Sequence, residues 1–315
     1  MDLRERIIGC LGKFPEKVPP ALAIEGEARE DGYIKRTVSY DVEPGERVRA
    51  YLLIPDGAAE AAEHPGILAI HQHAGQWHIG KSEVVGDVWE IQEDMYAYGR
   101  DLVKRGYVVL CPDVLCFEER VPECFRQRGS GGDGERFEFT RRIQHGSCLQ
   151  AKCLHDLSAA LDVLCGLSFV DEGRIGAIGH SMGGQSAVWI TWYDQRIRAG
   201  ISSCGFGEVQ TIFRDCVNHN YALYVPGMAN VCDMEGVLCG IAPRAFALTA
   251  GAEDAIFPID GVRRIAAEAE AQYARLGISE RFMADVFCGG HCFAQAQKDR
   301  LYPWLDRMLG KGSPS

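Results

Sequence analysis

The chain has 315 residues, 47% of them hydrophobic and 24% charged, the balance of a globular protein that can bury a large core without staples. A net charge of −11 excludes a general nucleic-acid binder, which needs a basic face to neutralise phosphates. No run reaches the roughly 18 apolar residues of a membrane span, and the opening MDLRERIIGCLGKFPEK has no apolar stretch long enough for a secretory leader. The 13 cysteines are scattered, several inside apolar runs such as YVVLCPD and LDVLCGL, and read as reduced core thiols of a cytoplasmic protein.

Residues 33–42 and 47–55 read as strands joined by Glu43-Pro44-Gly45-Glu46, whose central Pro-Gly is turn chemistry, so the chain opens on an antiparallel hairpin. GILAIH (66–71) is a short buried strand. Ile91, Met95, Tyr98 and Leu102 stand at helical spacing, and Gly106 closes that helix. YVVLCP (107–112) is the next strand. GSGGDGE (129–135) reads as a flexible surface loop. Cys153, Leu154, Leu157, Leu161 and Leu164 mark an amphipathic helix, RIGAIG (174–179) a strand, and a helix opens at Gly183. Residues 199–203 and 245–250 are further strands. Val262, Ile265, Ala269, Tyr273 and Leu276 line one helix face, 282–287 is the last strand, and a C-terminal helix starts near Phe293. Strands alternating with helices mean a mainly parallel sheet covered on both faces, as one α/β domain over 1–315. The alternation fails over 205–240, where Tyr221, Tyr224, Pro226, Met228 and Met234 gather; this stretch is a lid or an insertion within the domain.

The strongest chemical signal is Gly179-His180-Ser181-Met182-Gly183, a G-x-S-x-G with a strand running in and a helix running out. A sharp strand-to-helix turn lifts a serine hydroxyl above the sheet edge, and the helix N-terminus aims free amides at developing negative charge. Serine needs a base, and the base needs an acid to hold it. In the chain order Ser, acid, His, the base comes from His219 or His291; His291, just past the last strand, is the better placed. The acid follows the strand ending ALTAG, where Asp254 is the choice and Glu253 the rival. An oxyanion hole would take the backbone amide of Met182 and one from the loop after GILAIH, from His73 or alternatively Gln72.

GHSMGG after DEGRIGAIG, IAPRAFALTAGAEDAIFP, FCGGHCF, and HQHAGQ followed by YVVLCPDVLCFEER resemble the dienelactone-hydrolase and acetyl-xylan-esterase-like branch of the α/β-hydrolases over about 33–310. The resemblance implies the α/β-hydrolase fold, nucleophile Ser181, acid Asp254 and base His291. Dienelactone hydrolases proper carry cysteine at the nucleophile position. Serine here points to ordinary carboxylic esters with short acyl groups, cleaved through an acyl-enzyme with no cofactor.

Rivals remain. His71, His73 and His78, and Cys288, His291 and Cys292, contain metal-ligand residue types, but neither group has a recognised ligand spacing, so no metal is expected. A non-catalytic binder on this fold, or an amidase or peptidase on the same residues, are the alternatives. Trp77, Trp89, Phe117, Tyr221 and Tyr224 are candidate walls of the substrate pocket. The expected partner is a small-molecule ester; nucleic acid and membrane are not expected, and self-association is left open.

Overall fold

The apolar runs become parallel strands. The computed structural model describes residues 1–58, 63–88 and 95–311. Among these, one sheet of nine strands has the order β1-β2-β3-β5-β4-β6-β7-β8-β9. Its strands are β1 (Ala23–Glu30), β2 (Tyr33–Glu43), β3 (Glu46–Pro55), β4 (His64–Ile70), β5 (Val108–Pro112), β6 (Val170–His180), β7 (Ile197–Ser203), β8 (Ala245–Gly251) and β9 (Phe282–Phe287). From β5 through β4 to β9 every pairing is parallel, while β1, β2 and β3 pair antiparallel and β3 joins β5 antiparallel.

Side-chain alternation splits the core between the two faces of the sheet. Leu68 and Ile70 of β4 face the helices Leu149–Cys165, Met182–Tyr193 and Ile259–Arg275; Ile67 and Ala69 face Tyr98–Lys104 and Gln295–Met308. Trp189 and Trp192 are buried on the first face. Burying a side chain of that size contributes roughly 1.5–3 kcal/mol or more, which explains why the Met182–Tyr193 helix is so apolar.

The predicted hairpin is β2 with β3, but it belongs to a meander of three strands. The strand β1 has no apolar alternation, because it is a largely exposed edge. Cross-strand ion pairs hold it, Glu27 to Arg36 at 2.7 Å and Glu25 to Arg49. Charge along an edge also discourages pairing with another chain. The helix predicted from Ile91 is described from Tyr98 to Lys104; Ile91 and Trp89 lie outside the described residues.

The expected loop over 129–135 is corrected: the helix Gly131–Gln144 begins inside it. The glycines there serve close packing. A Cβ on Gly131 would sit 2.3 Å from Trp77 Cβ, and one on Gly132 would sit 2.9 Å from the Trp77 ring. Tertiary contact overrides the low helix propensity of glycine.

The stretch 205–240 folds into the short helices Val209–Arg214 and Met234–Cys239 with two single 3-10 turns between them. Asp233 ties its ends together, its carboxylate accepting from the amides of Val209 at 2.8 Å and Met234 at 2.6 Å. Among the described residues no helix is long and apolar enough to cross a membrane.

Candidate active site

Three loops at the C-terminal ends of parallel strands bring the predicted residues together, the usual place for a site on an open α/β sheet. Ser181 joins β6 to the Met182–Tyr193 helix with φ 54° and ψ −122°. A non-glycine residue in that region costs on the order of 1–3 kcal/mol and persists only when its surroundings over-determine it. Here they do. Ser181 N–H donates to Ser203 O at the end of β7 (2.8 Å), and Ser181 O accepts from Gln185 N–H (2.9 Å). Met182 is the first residue of the helix, so its amide has no carbonyl one turn earlier to bond.

Asp254 follows β8 and is 8% exposed. Its Oδ1 accepts from the amides of Ile256 (2.9 Å) and Phe257 (3.2 Å), which leaves Oδ2 for His291 Nδ1 at 2.8 Å. A carboxylate oxygen accepts, so Nδ1 carries a proton, and in the neutral imidazole Nε2 is then the nitrogen with the free lone pair. His291 reaches this position from the loop after β9, turned by Gly289 at φ 147°. Glu253, the rival acid, is exposed, and its carboxylate meets Cys288 Sγ at 3.6 Å instead.

Ser181 and His291 line one cavity of about 670 Å³, together with Gln72, His73, Trp77, Tyr221 and Tyr224. Phe117 is not in that wall; at 1% exposure it packs edge-on behind His71 and His73, at 5.0 and 5.1 Å between ring centres. His219 does line the cavity, but its Nε2 donates to Ile256 O at 3.0 Å and its ring lies 4.4 Å from Phe257. Burial pushes its pKa down.

Glu135, Asn218 and Asn220 are among the lining groups absent from the sequence reading. Glu135, at 3% exposure, accepts from His73 Nε2 (2.8 Å), Trp77 Nε1 (3.1 Å) and the Tyr221 amide (3.1 Å). Burial pushes its carboxyl up, but these donors outweigh burial and hold it below the ordinary range. Asn218 and Asn220 complete the polar wall, and Asn220 Nδ2 donates to Gln185 Oε1 at 3.1 Å, pinning the 205–240 stretch to the helix after Ser181. The asparagines sit in VNHNYALY, beside a histidine already weighed; Glu135 was hidden by the glycines around it.

The histidines considered for a metal are otherwise engaged. His71 is buried, its Nδ1 meeting Gln72 O (2.7 Å) and its Nε2 accepting from Val114 N–H (3.0 Å). Burial pushes its pKa down to about 4, so it stays neutral. Cys204, Asp254 and His291 offer ligand atoms within 4.8 Å of one another. Both Asp254 oxygens already have proton donors, and Cys204 Sγ donates instead to Cys292 O at 3.5 Å, so the ligand atoms are engaged in hydrogen bonds.

Behind the loop after β4, Glu83 accepts from Gln72 Nε2 at 2.8 Å and is 4% exposed. Burial raises its carboxyl pKa from 4.5 to about 7, against the lowering effect of that hydrogen bond. Between these pH values the folded chain binds more protons at Glu83 than the unfolded chain does. Stability is therefore greatest at the acidic end of this window and falls by about 3 kcal/mol as pH rises through it. Glu83→Gln is expected to raise the melting temperature relative to the parent at pH 8 and to do so far less near pH 4.5. Equal effects at the two pH values would show that Glu83 is not the titrating group.

Strand order and connections, with the turn bearing Ser181 after β6, are those of the α/β-hydrolase fold. Residues 123–230, which include Ser181 but neither Asp254 nor His291, match the Prolyl oligopeptidase family. The protein named "Putative hydrolase YtaP" of Bacillus subtilis (strain 168) is 27% identical over 311 residues, covering 98% of this chain and 99% of that one. Among solved structures, a "putative acetyl xylan esterase" of Bacteroides fragilis NCTC 9343 superposes with TM-score 0.73 at 18% identity, over 91% of this chain and 73% of that one. A glucuronoyl esterase from Solibacter usitatus superposes with TM-score 0.68 at 16% identity, over 97% and 92%. At these identities the two structures speak to the fold.

Proposed function

We propose that the protein is a serine esterase that removes short acyl groups from a polyhydroxylated alcohol. The observation that carries the reading is the strained Ser181 sharing one cavity with a His291 whose Nδ1 is held by Asp254 at 2.8 Å. In the proposed reaction Ser181 Oγ attacks the ester carbonyl while His291 Nε2 takes its proton. The Met182 amide and one from His73 or Gln72 hold the oxyanion. His291 returns the proton to the departing alcohol, and water, activated by the same base, releases the acid from the acyl-enzyme. Asp254 keeps the imidazole in the required tautomer and supports it when charged.

The substrate class rests on the wall. Amides of Asn218 and Asn220 stand beside the rings of Trp77, Tyr221 and Tyr224. Amide groups bond hydroxyls, and aromatic faces pack on the C–H faces of a sugar ring. The carbohydrate esterases among the structural neighbours agree with that chemistry. A second reading, peptide or amide cleavage by the same residues, is favoured by the Prolyl oligopeptidase match.

Paired substrates separate the two. Turnover of p-nitrophenyl acetate and of a peracetylated xylose is expected, with negligible release of p-nitroaniline from acyl anilides. Anilide cleavage as fast as ester cleavage would replace the esterase reading by the peptidase one.

A further inference from the structure

The proposed reaction does not call on Glu135, yet its carboxylate lies in the cavity wall at 3% exposure. Its two oxygens receive three N–H donors, from His73, Trp77 and the Tyr221 backbone. His73 and Trp77 belong to the loop after β4, and Tyr221 to the 205–240 stretch. One buried carboxylate therefore ties together two segments that are otherwise separate parts of the wall.

The 2.8 Å contact between His73 and Glu135 equals that between His291 and Asp254, which raises the question of a second base and acid pair. The remaining nitrogen answers it. His73 Nδ1 accepts from Gly75 N–H at 3.0 Å. The ring proton must then sit on Nε2, and Nε2 points at Glu135. Neither nitrogen is left to exchange a proton with a substrate, so the pair holds structure in place and takes no part in proton transfer.

The loop needs holding. Ala74 and Gly75 adopt φ of 47° and 71° in succession inside a turn closed by the Gln76 N–H to His73 O bond at 3.0 Å, and that bond fixes the turn's shape but not its place against the rest of the wall. Bonds from N–H groups to a buried carboxylate are among the stronger ones available. The helix bearing Glu135 can come this close because Gly131 and Gly132 leave room for the Trp77 ring.

We propose that Glu135 is a positioning residue that locks the loop carrying the second oxyanion amide to the 205–240 stretch, so that the oxyanion hole and the far wall of the cavity keep one fixed relation. The inference rests on the esterase reading of Ser181. The loss of such positioning is felt in the chemical step, since small misplacements of an oriented group cost on the order of 10²-fold in rate.

Glu135→Gln tests it. Glutamine keeps the size but exchanges an oxygen for an NH₂, which must face either the Tyr221 N–H or the His73 and Trp77 N–H pair. Donor meets donor whichever way it turns. Active sites are counted by fluorophosphonate titration of Ser181, and kcat and KM are expressed per titrated site. The expected result is a fall in kcat/KM per site on the order of 10²-fold, mainly in kcat, with most chains still titratable. Trp77→Phe, which removes one donor and keeps a ring, is expected to fall in the same direction by less. A merely structural Glu135 would lower the number of titratable sites and leave each site unchanged. Per-site kcat/KM within about twofold of the parent in Glu135→Gln, or in Trp77→Phe should the first variant not fold, overturns the proposal. Failure of the esterase reading is visible separately, as a parent protein that does not label at Ser181.

Discussion

Ser181→Ala is expected to lose ester turnover by a factor on the order of 10⁴ or more while folding as the parent does. The size follows from what the hydroxyl would supply. Without it no acyl-enzyme can form, and His291 has no nucleophile to deprotonate; only substrate binding and the oxyanion amides remain to act on a water. Folding should be spared because the strain at position 181 is in the backbone, and the bonds that enforce it, to Ser203 O and from Gln185 N–H, are main-chain bonds that alanine keeps. Steady-state hydrolysis of p-nitrophenyl acetate and a thermal melt check both halves. A variant retaining a tenth of parental turnover would move the nucleophile elsewhere.

Gly183→Ala is expected to be as damaging by a different route. A Cβ at Gly183 would lie 2.0 Å from Ile70 O and 2.7 Å from His71 O, both main-chain atoms that cannot rotate away. Relief would require the end of β4 to separate from the helix after Ser181, and the loop after β4 is the one proposed to carry an oxyanion amide. Overpacking against rigid backbone belongs to the most destabilising changes, about 4 kcal/mol or more, which for a chain of this size is roughly 10 °C or more in melting temperature. Titratable Ser181 should vanish in step. Gly9→Ala is the control, since no atom lies within 4 Å of the added carbon and the backbone there is helical. A Gly183→Ala protein with parental melting temperature and a full count of active sites would mean that the close approach of β4 to this helix is not required.

The G-x-S-x-G turn is readable in sequence because its glycines answer to two backbones passing within contact of each other, a constraint no other residue satisfies. The parallel strands are readable for a similar reason: buried on both faces, they must be continuously apolar, as in ILAI and VVLC. What escaped was decided by partners distant in the chain. The strand β1 is an exposed edge whose pairing is carried by charges on β2 and β3, so it shows no alternation. Ser130-Gly131-Gly132 looks like a flexible tract until Trp77 is known to press on it from more than fifty residues away. Glu135 shared that disguise. Phe117 was plausible as a wall by residue type, but an aromatic side chain close behind a site is as useful for holding His71 and His73 as for meeting a substrate. Asp254 and Glu253 could be ranked by position but not parted by sequence; the two amides that claim Asp254 Oδ1 belong to the turn Ile256–Phe257, whose geometry no local pattern reveals.

The central claim, that Ser181 is the nucleophile of an acyl-transfer cycle, is tested most directly by treating the parent protein with a fluorophosphonate and locating the adduct by peptide mass spectrometry. One adduct per chain, on the peptide GHSMGGQSAVWITWYDQR and at Ser181, together with loss of esterase activity in proportion to labelling, is the result the account predicts. An adduct on Ser186, on another serine or on a cysteine with Ser181 left free, or esterase activity that survives complete labelling of Ser181, would contradict it.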